Sequence, residues 1–155
     1  MTTRCALGFV GVDPGLRTGV VSYIRSWANG ARVFEAATLD AMDAVDYVEA
    51  AVSVPGFSFV ICCERYAMVS HRRPHSAQPD ALEVTGALRW LARRTSTRFL
   101  CRAPGDTPRI GSAENLRRLG WWRGGEGHTD RAAGQLLAGI AELCPWELVE
   151  LGLVG

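Results

Sequence analysis

Lysine is absent: all 17 cationic residues of this 155-residue chain are arginine. Codon usage biased towards G and C accounts for that, because such genomes favour Arg, Ala and Gly together, so arginine's superiority as a phosphate fork carries no functional weight here. Long apolar runs are missing as well. No stretch approaches the roughly 20 residues that cross a bilayer. The opening "MTTRCALGFVGVD" has no apolar core segment behind a basic one, which argues against a secretory signal. The expectation is a soluble cytoplasmic protein with no membrane partner. Cysteine occurs at Cys5, Cys62, Cys63, Cys101 and Cys144. That odd number, without a CxxC pair or a zinc-like spacing to histidine, excludes a disulfide framework and the usual zinc sites. The five are expected as small buried side chains in or near strands. There is no internal repeat, linker or low-complexity segment, and the length suits one domain over residues 1–155 that buries roughly 68–70% of its unfolded surface.

The charge that is present is unevenly spread. The formal net charge is only +1, yet residues 1–64 carry −3, residues 65–131 carry +7 and residues 132–155 carry −3. The middle of the chain is a basic block.

Apolar, β-capable residues over 6–13, "ALGFVGVD", end at Pro14-Gly15 and predict a buried strand followed by a tight turn. "TGVVSYIR" (18–25) and "ARVFEAATL" (31–39) follow across short turns, which predicts an antiparallel meander. Over 40–52 the period changes: Ala41, Ala44, Val45, Val48 and Val52 recur at helical spacing, with Asp40 placed to cap the first turn. "FSFVICCE" (57–64) is a second buried strand that ends on an acid, Glu64. The aperiodic, arginine-rich 65–79 predicts a loop in which His71 and His75 are plain loop residues. A helix over 80–94 should open with Asp80 and Glu83 in a capping pattern and bury Val84, Ala87, Leu88 and Leu91. A short strand over 98–104, a short helix around "SAENLRRL" that stops at Gly120, and a helix burying Ala133, Leu136, Leu137 and Ile140 complete the pattern. The apolar tail "CPWELVELGLVG" should dock on the body or on a partner subunit.

Asp13 and Glu64 end two apolar strands and Asp130 stands at a helix start. The helix over 40–52 permits the two strands to run parallel, which would let the three acids meet. Three carboxylates suit Mg²⁺ or Mn²⁺, which take oxygen ligands. A pair of such ions about 3.5–4 Å apart is one solution to phosphodiester hydrolysis.

"GVDPGLRTGV" resembles the first active-site motif of the RuvC-like Holliday-junction resolvases, in the ribonuclease H-like superfamily. "VICCERYAM" is similar to their second motif and "GHTDRAAGQLLAG" to their last helix. The resemblance implies an α/β fold, a mixed five-stranded sheet with an antiparallel meander, then parallel strands, flanked by helices. It implies a structure-selective endonuclease that cuts branched DNA (Holliday junctions, forks or flaps) with two ions per active site and leaves a 5′-phosphate and a 3′-hydroxyl. Family members carry a further ligand three residues before the last acid, where this chain has Gly127; His128 is the expected substitute, with Glu126 the alternative. The site set is therefore Asp13, Glu64, Asp130 and His128, as catalytic residues and metal ligands. "LGWW…GHTDRAA" is similar to small phage-encoded members, which implies a phage protein acting in a GC-rich bacterial host.

Arg65, Tyr66, Arg72 and Arg73, directly after Glu64, suit phosphate contact and base stacking, and Arg117, Arg118 and Arg123 form a second DNA-facing cluster. The helix with Trp90 and Leu91 is similar to the family's dimer-forming helix, so a homodimer is expected. Two other readings compete: a branched-DNA-binding protein of the same fold without catalysis, and an actin-like phosphotransferase. The second needs roughly twice this length and a second phosphate loop, which the chain lacks.

Overall fold

A computed structural model describes residues 6–66, 78–106, 108–124 and 127–154. Five strands, β1 (Ala6–Asp13), β2 (Arg17–Arg25), β3 (Arg32–Asp40), β4 (Phe57–Glu64) and β5 (Arg98–Arg102), form one sheet in the order β3-β2-β1-β4-β5. β1 pairs antiparallel with β2 and parallel with β4, and β5 runs parallel to β4. Helix α1 (Ala41–Val52) is the crossover that returns the chain to lay β4 beside β1. The fold is the mixed five-stranded, ribonuclease H-like one expected.

A central strand covered on both faces must be apolar at every position. β1 meets that demand by alternation: Phe9 enters one core, and Val10 and Val12 enter the other. On the first face Phe9, Val21, Val60 and Cys62 pack against α4 (His128–Leu143) through Ala132, Ala133, Leu136, Leu137 and Ile140. On the second, Val12, Ile61 and Cys63 pack against Ala44 and Val48 of α1 and against Val84, Leu88 and Leu91 of α2 (Gln78–Thr95).

Local differences from expectation have simple causes. Asp40 occupies the N-cap position of α1 without a side-chain cap bond, because its carboxylate pairs with Arg17 Nη1 at 2.7 Å. α2 begins at Gln78, which puts Asp80 inside the first turn rather than at the cap. Leu91 is fully buried in the core, so it is unavailable to a partner, whereas Trp90 beside it is 60% exposed. The last strand stops at Arg102, two residues early. The short helix α3 spans Ala113–Arg118, capped by Ser112, whose Oγ accepts from the Asn115 N–H. Cys144 lies between two helices in the chain, partly buried against the first core.

The tail docks on the chain's own body. Helix α5 (Pro145–Glu150) inserts Leu148 into the first core and buries Glu147, which accepts from the Tyr23 hydroxyl and pairs with Arg25 and Arg32. Burial and the neighbouring Glu147 push the Tyr23 phenol well above its ordinary pKa. Among the described residues no helix is long and apolar enough to cross a membrane.

α4 lies on the β1–β2 hairpin closely enough that only glycine fits beneath it. A Cβ at Gly19 would fall inside the van der Waals envelope of the His128 carbonyl, and one at Gly11 inside that of the Ala132 carbonyl. Gly19 is also the register partner of Asp13. Gly19→Ala is therefore expected to lower stability by about 1–3 kcal/mol through overpacking against backbone that cannot yield; urea unfolding would show it, and an unchanged midpoint would contradict the close contact.

Candidate active site

Side-chain parity decides which residues end on which face. In β1, Phe9, Gly11 and Asp13 face α4, and in β4, Val60, Cys62 and Glu64 do the same. Val12 pairs with Cys63 in the parallel register, so the two acids leave the sheet side by side at its carboxyl edge, beneath the start of α4. Such an edge, at the carboxyl ends of parallel strands, is where open α/β sheets form ligand crevices. The turn after Asp13 is closed by Thr18, whose hydroxyl donates to the Gly15 carbonyl at 2.8 Å.

Asp13 is 4% exposed and its Oδ2 accepts from His128 Nδ1 at 2.7 Å. That bond leaves Nε2 as the nitrogen free to bind a metal or a proton. Glu64 accepts from Gln135 Nε2 at 3.4 Å. Asp130 accepts from the Arg123 backbone N–H at 2.8 Å. His128 and Asp130 differ by two positions in the first turn of α4, about 200° apart around the helix, and His128 is the one bonded to Asp13. Asp130 instead lines a cleft of about 390 Å³ together with Glu64, Arg131 and Trp122. His128 and Asp130 both line a second cleft of about 530 Å³, which Arg17 and Arg123 share. Among the described residues no three His, Cys, Asp or Glu side chains converge closely enough to hold one ion.

The two strand-end acids are electrostatically stressed. Burial raises the Asp13 pKa, opposed by the His128 bond and charge and by Arg131. Burial and then the charge of Asp13 raise that of Glu64, opposed by Gln135, Arg131 and His128. Two acids that each lie partly out of water and repel one another fit a hard divalent cation, which supplies the missing positive charge and needs only one or two carboxylates from the protein.

The other expected residues are dispersed. Arg65 is exposed, with its backbone N–H on the Arg102 carbonyl at 2.6 Å, and Tyr66 follows it, half-buried. Arg72 and Arg73, with His71, His75, Cys5 and Glu126, lie outside the described residues. Arg117 stacks over the Trp122 ring at 4.5 Å. Arg118 donates to the Gly152 carbonyl at 2.7 Å and so holds the tail. Arg123 stands at the second cleft, 5.9 Å from the Phe34 ring centroid. Sequence reasoning missed Arg131 and Gln135. Their signal was available: His128, Arg131 and Gln135 follow an i, i+3, i+7 helical stripe, and a fully buried glutamine in an apolar helix marks a polar partner.

The raised pKa of Glu64 has a definite sign in stability. Between its unfolded and folded values the folded chain binds the proton more tightly, so stability falls as pH rises through that window and stays reduced above it. Glu64→Gln in metal-free buffer is expected to melt higher than the native chain at pH 7, with the difference shrinking as the pH approaches 4; a lower melting point at pH 7 would contradict the stress.

No protein-family model matches the chain, and no curated protein matches its sequence. Solved structures do match. Thermus thermophilus RuvC superposes with a TM-score of 0.55 at 14% identity, covering 94% of this chain and 97% of that one. The same protein in complex with a Holliday junction substrate gives a TM-score of 0.54 at 13% identity, covering 95% and 97%. The fold of this chain is the RuvC-like one.

Proposed function

We propose that the protein is a metal-dependent endonuclease that cuts branched DNA, of the Holliday-junction resolvase type. The observation that carries this reading is the pair Asp13 and Glu64: two repelling carboxylates on one face of adjacent parallel strands, under a helix start, in a RuvC-like fold. When bound, Mg²⁺ or Mn²⁺ would neutralise charge on the scissile phosphate and activate a water for in-line attack. Asp13 and Glu64 would hold the first ion. Asp130 and His128 would complete the donors for a second, alongside the Arg123 N–H bond that Asp130 Oδ1 accepts.

The chain's own residues prepare the rest. Asp13 orients the His128 ring through Nδ1, and Gln135 orients Glu64. Arg131 and Arg123 border the two clefts as phosphate partners, and Arg65 and Tyr66 stand just beyond Glu64 on the route of a bound strand. Pairing of two copies through the α2 face that exposes Trp90 would set two such sites against symmetric strands.

Cleavage of a labelled four-way junction, beside fork, flap and linear duplex, tests the proposal. Nicking of branched DNA with Mg²⁺ or Mn²⁺ is expected, abolished by EDTA and reduced at least about 100-fold by Asp13→Asn, which keeps the His128 contact but lacks the charge. Binding of the junction without cleavage under either ion would instead establish the non-catalytic branched-DNA-binding reading. Sedimentation of the same protein is expected to give a dimer mass at micromolar concentration, and a monomer would remove the paired-site arrangement.

A further inference from the structure

We infer that Cys63 and Cys101 form a reversible dithiol/disulfide site that responds to peroxide. The two residues are direct register partners on the parallel pair β4–β5. Adjacent strands lie about 4.7–4.9 Å apart, within the ~4.4–6.8 Å Cα separation that a disulfide spans. Both side chains project from the same face of the sheet: Cys63 is in the core cluster that Phe99 borders, and Cys101 is two residues beyond Phe99. Cys63 Sγ lies 3.3 Å from the Glu64 carbonyl oxygen and 4.0 Å from Thr85 Oγ1, and both cysteines are free thiols.

The pair divides the work of oxidation. Cys101 is only half-buried and borders a surface cleft of about 680 Å³ shared with Arg89 and Arg98. Hydrogen bonding from Cys63, then the Arg89 and Arg65 guanidinium groups, hold the Cys101 thiol below its ordinary pKa despite its burial. Cys101 is thus the nucleophile that meets the oxidant. Its thiolate attacks one oxygen of hydrogen peroxide, breaking the O–O bond and giving a sulfenic acid and, after protonation, one water. The fully buried Cys63 sulfur then attacks the Cys101 sulfur, the S–O bond breaks, and the Cys63 proton leaves with the hydroxide as a second water. Two thiols and one peroxide become one disulfide and two waters. A small dithiol would reverse the bridge by thiol–disulfide exchange. The bridge would sit one residue before Glu64, whose carbonyl oxygen lies 3.3 Å from Cys63 Sγ.

Peroxide treatment of the native full chain, followed by intact-mass analysis, thiol counting and peptide mapping, tests this without any nuclease assay. The native chain is expected to lose two hydrogens in mass and two of its five thiols, with Cys63 and Cys101 in one crosslinked peptide pair, and dithiothreitol should restore all five. Cys101→Ser, a change at a half-buried position, is expected to keep its four thiols under the same dose, and Cys63→Ala should accumulate oxygen adducts on Cys101. Five surviving thiols, a bridge involving any other cysteine, or oxygen adducts on native Cys101 without a crosslink would overturn the inference.

Discussion

Backbone contact between α4 and the β1–β2 hairpin fixes where the groups around Asp13 and Glu64 stand. Gly11 and Gly19 remove the two side chains that would hold the helix away, and the first turn of α4 therefore settles directly over the Asp13–Gly19 register pair. From that seat His128 reaches Asp13, Gln135 reaches Glu64, and Arg131 adds its charge to both. Packing at the hairpin and chemistry at the sheet edge are one constraint.

The same arrangement costs the folded state something. Asp13 and Glu64 are partly withdrawn from water, and burial makes both carboxyls harder to ionise than in water. Such strain at a site, offset by good packing elsewhere, is what a functional position in an otherwise self-consistent fold shows. The offset is visible: two apolar cores sandwich the sheet, and α5 is pinned by Glu147 to Tyr23, Arg25 and Arg32.

Much of this was legible in the residues. Apolar runs that end on Asp13 and Glu64 announced strands with acids at one edge, and the helical spacing of Ala44, Val48, Leu136 and Ile140 announced the two covering layers. Local signals failed where distant partners compete for the same group. Asp40 has the right type for a helix cap, but Arg17, 23 positions earlier, takes its carboxylate. Arg118 reads as part of a DNA-facing cluster, but the tail carbonyl of Gly152 claims it. The roles of Gly11 and Gly19 were hidden for the same reason, since a glycine in a strand says that something approaches without saying what.

The central claim is that Asp13 and Glu64 together hold a divalent cation. Anomalous diffraction from crystals soaked in Mn²⁺ tests it most directly. The account predicts a manganese peak at the Asp13 and Glu64 carboxylates, and no such peak in Glu64→Gln. A saturating soak that leaves the edge of β1 and β4 empty, or manganese bound only elsewhere, would contradict it.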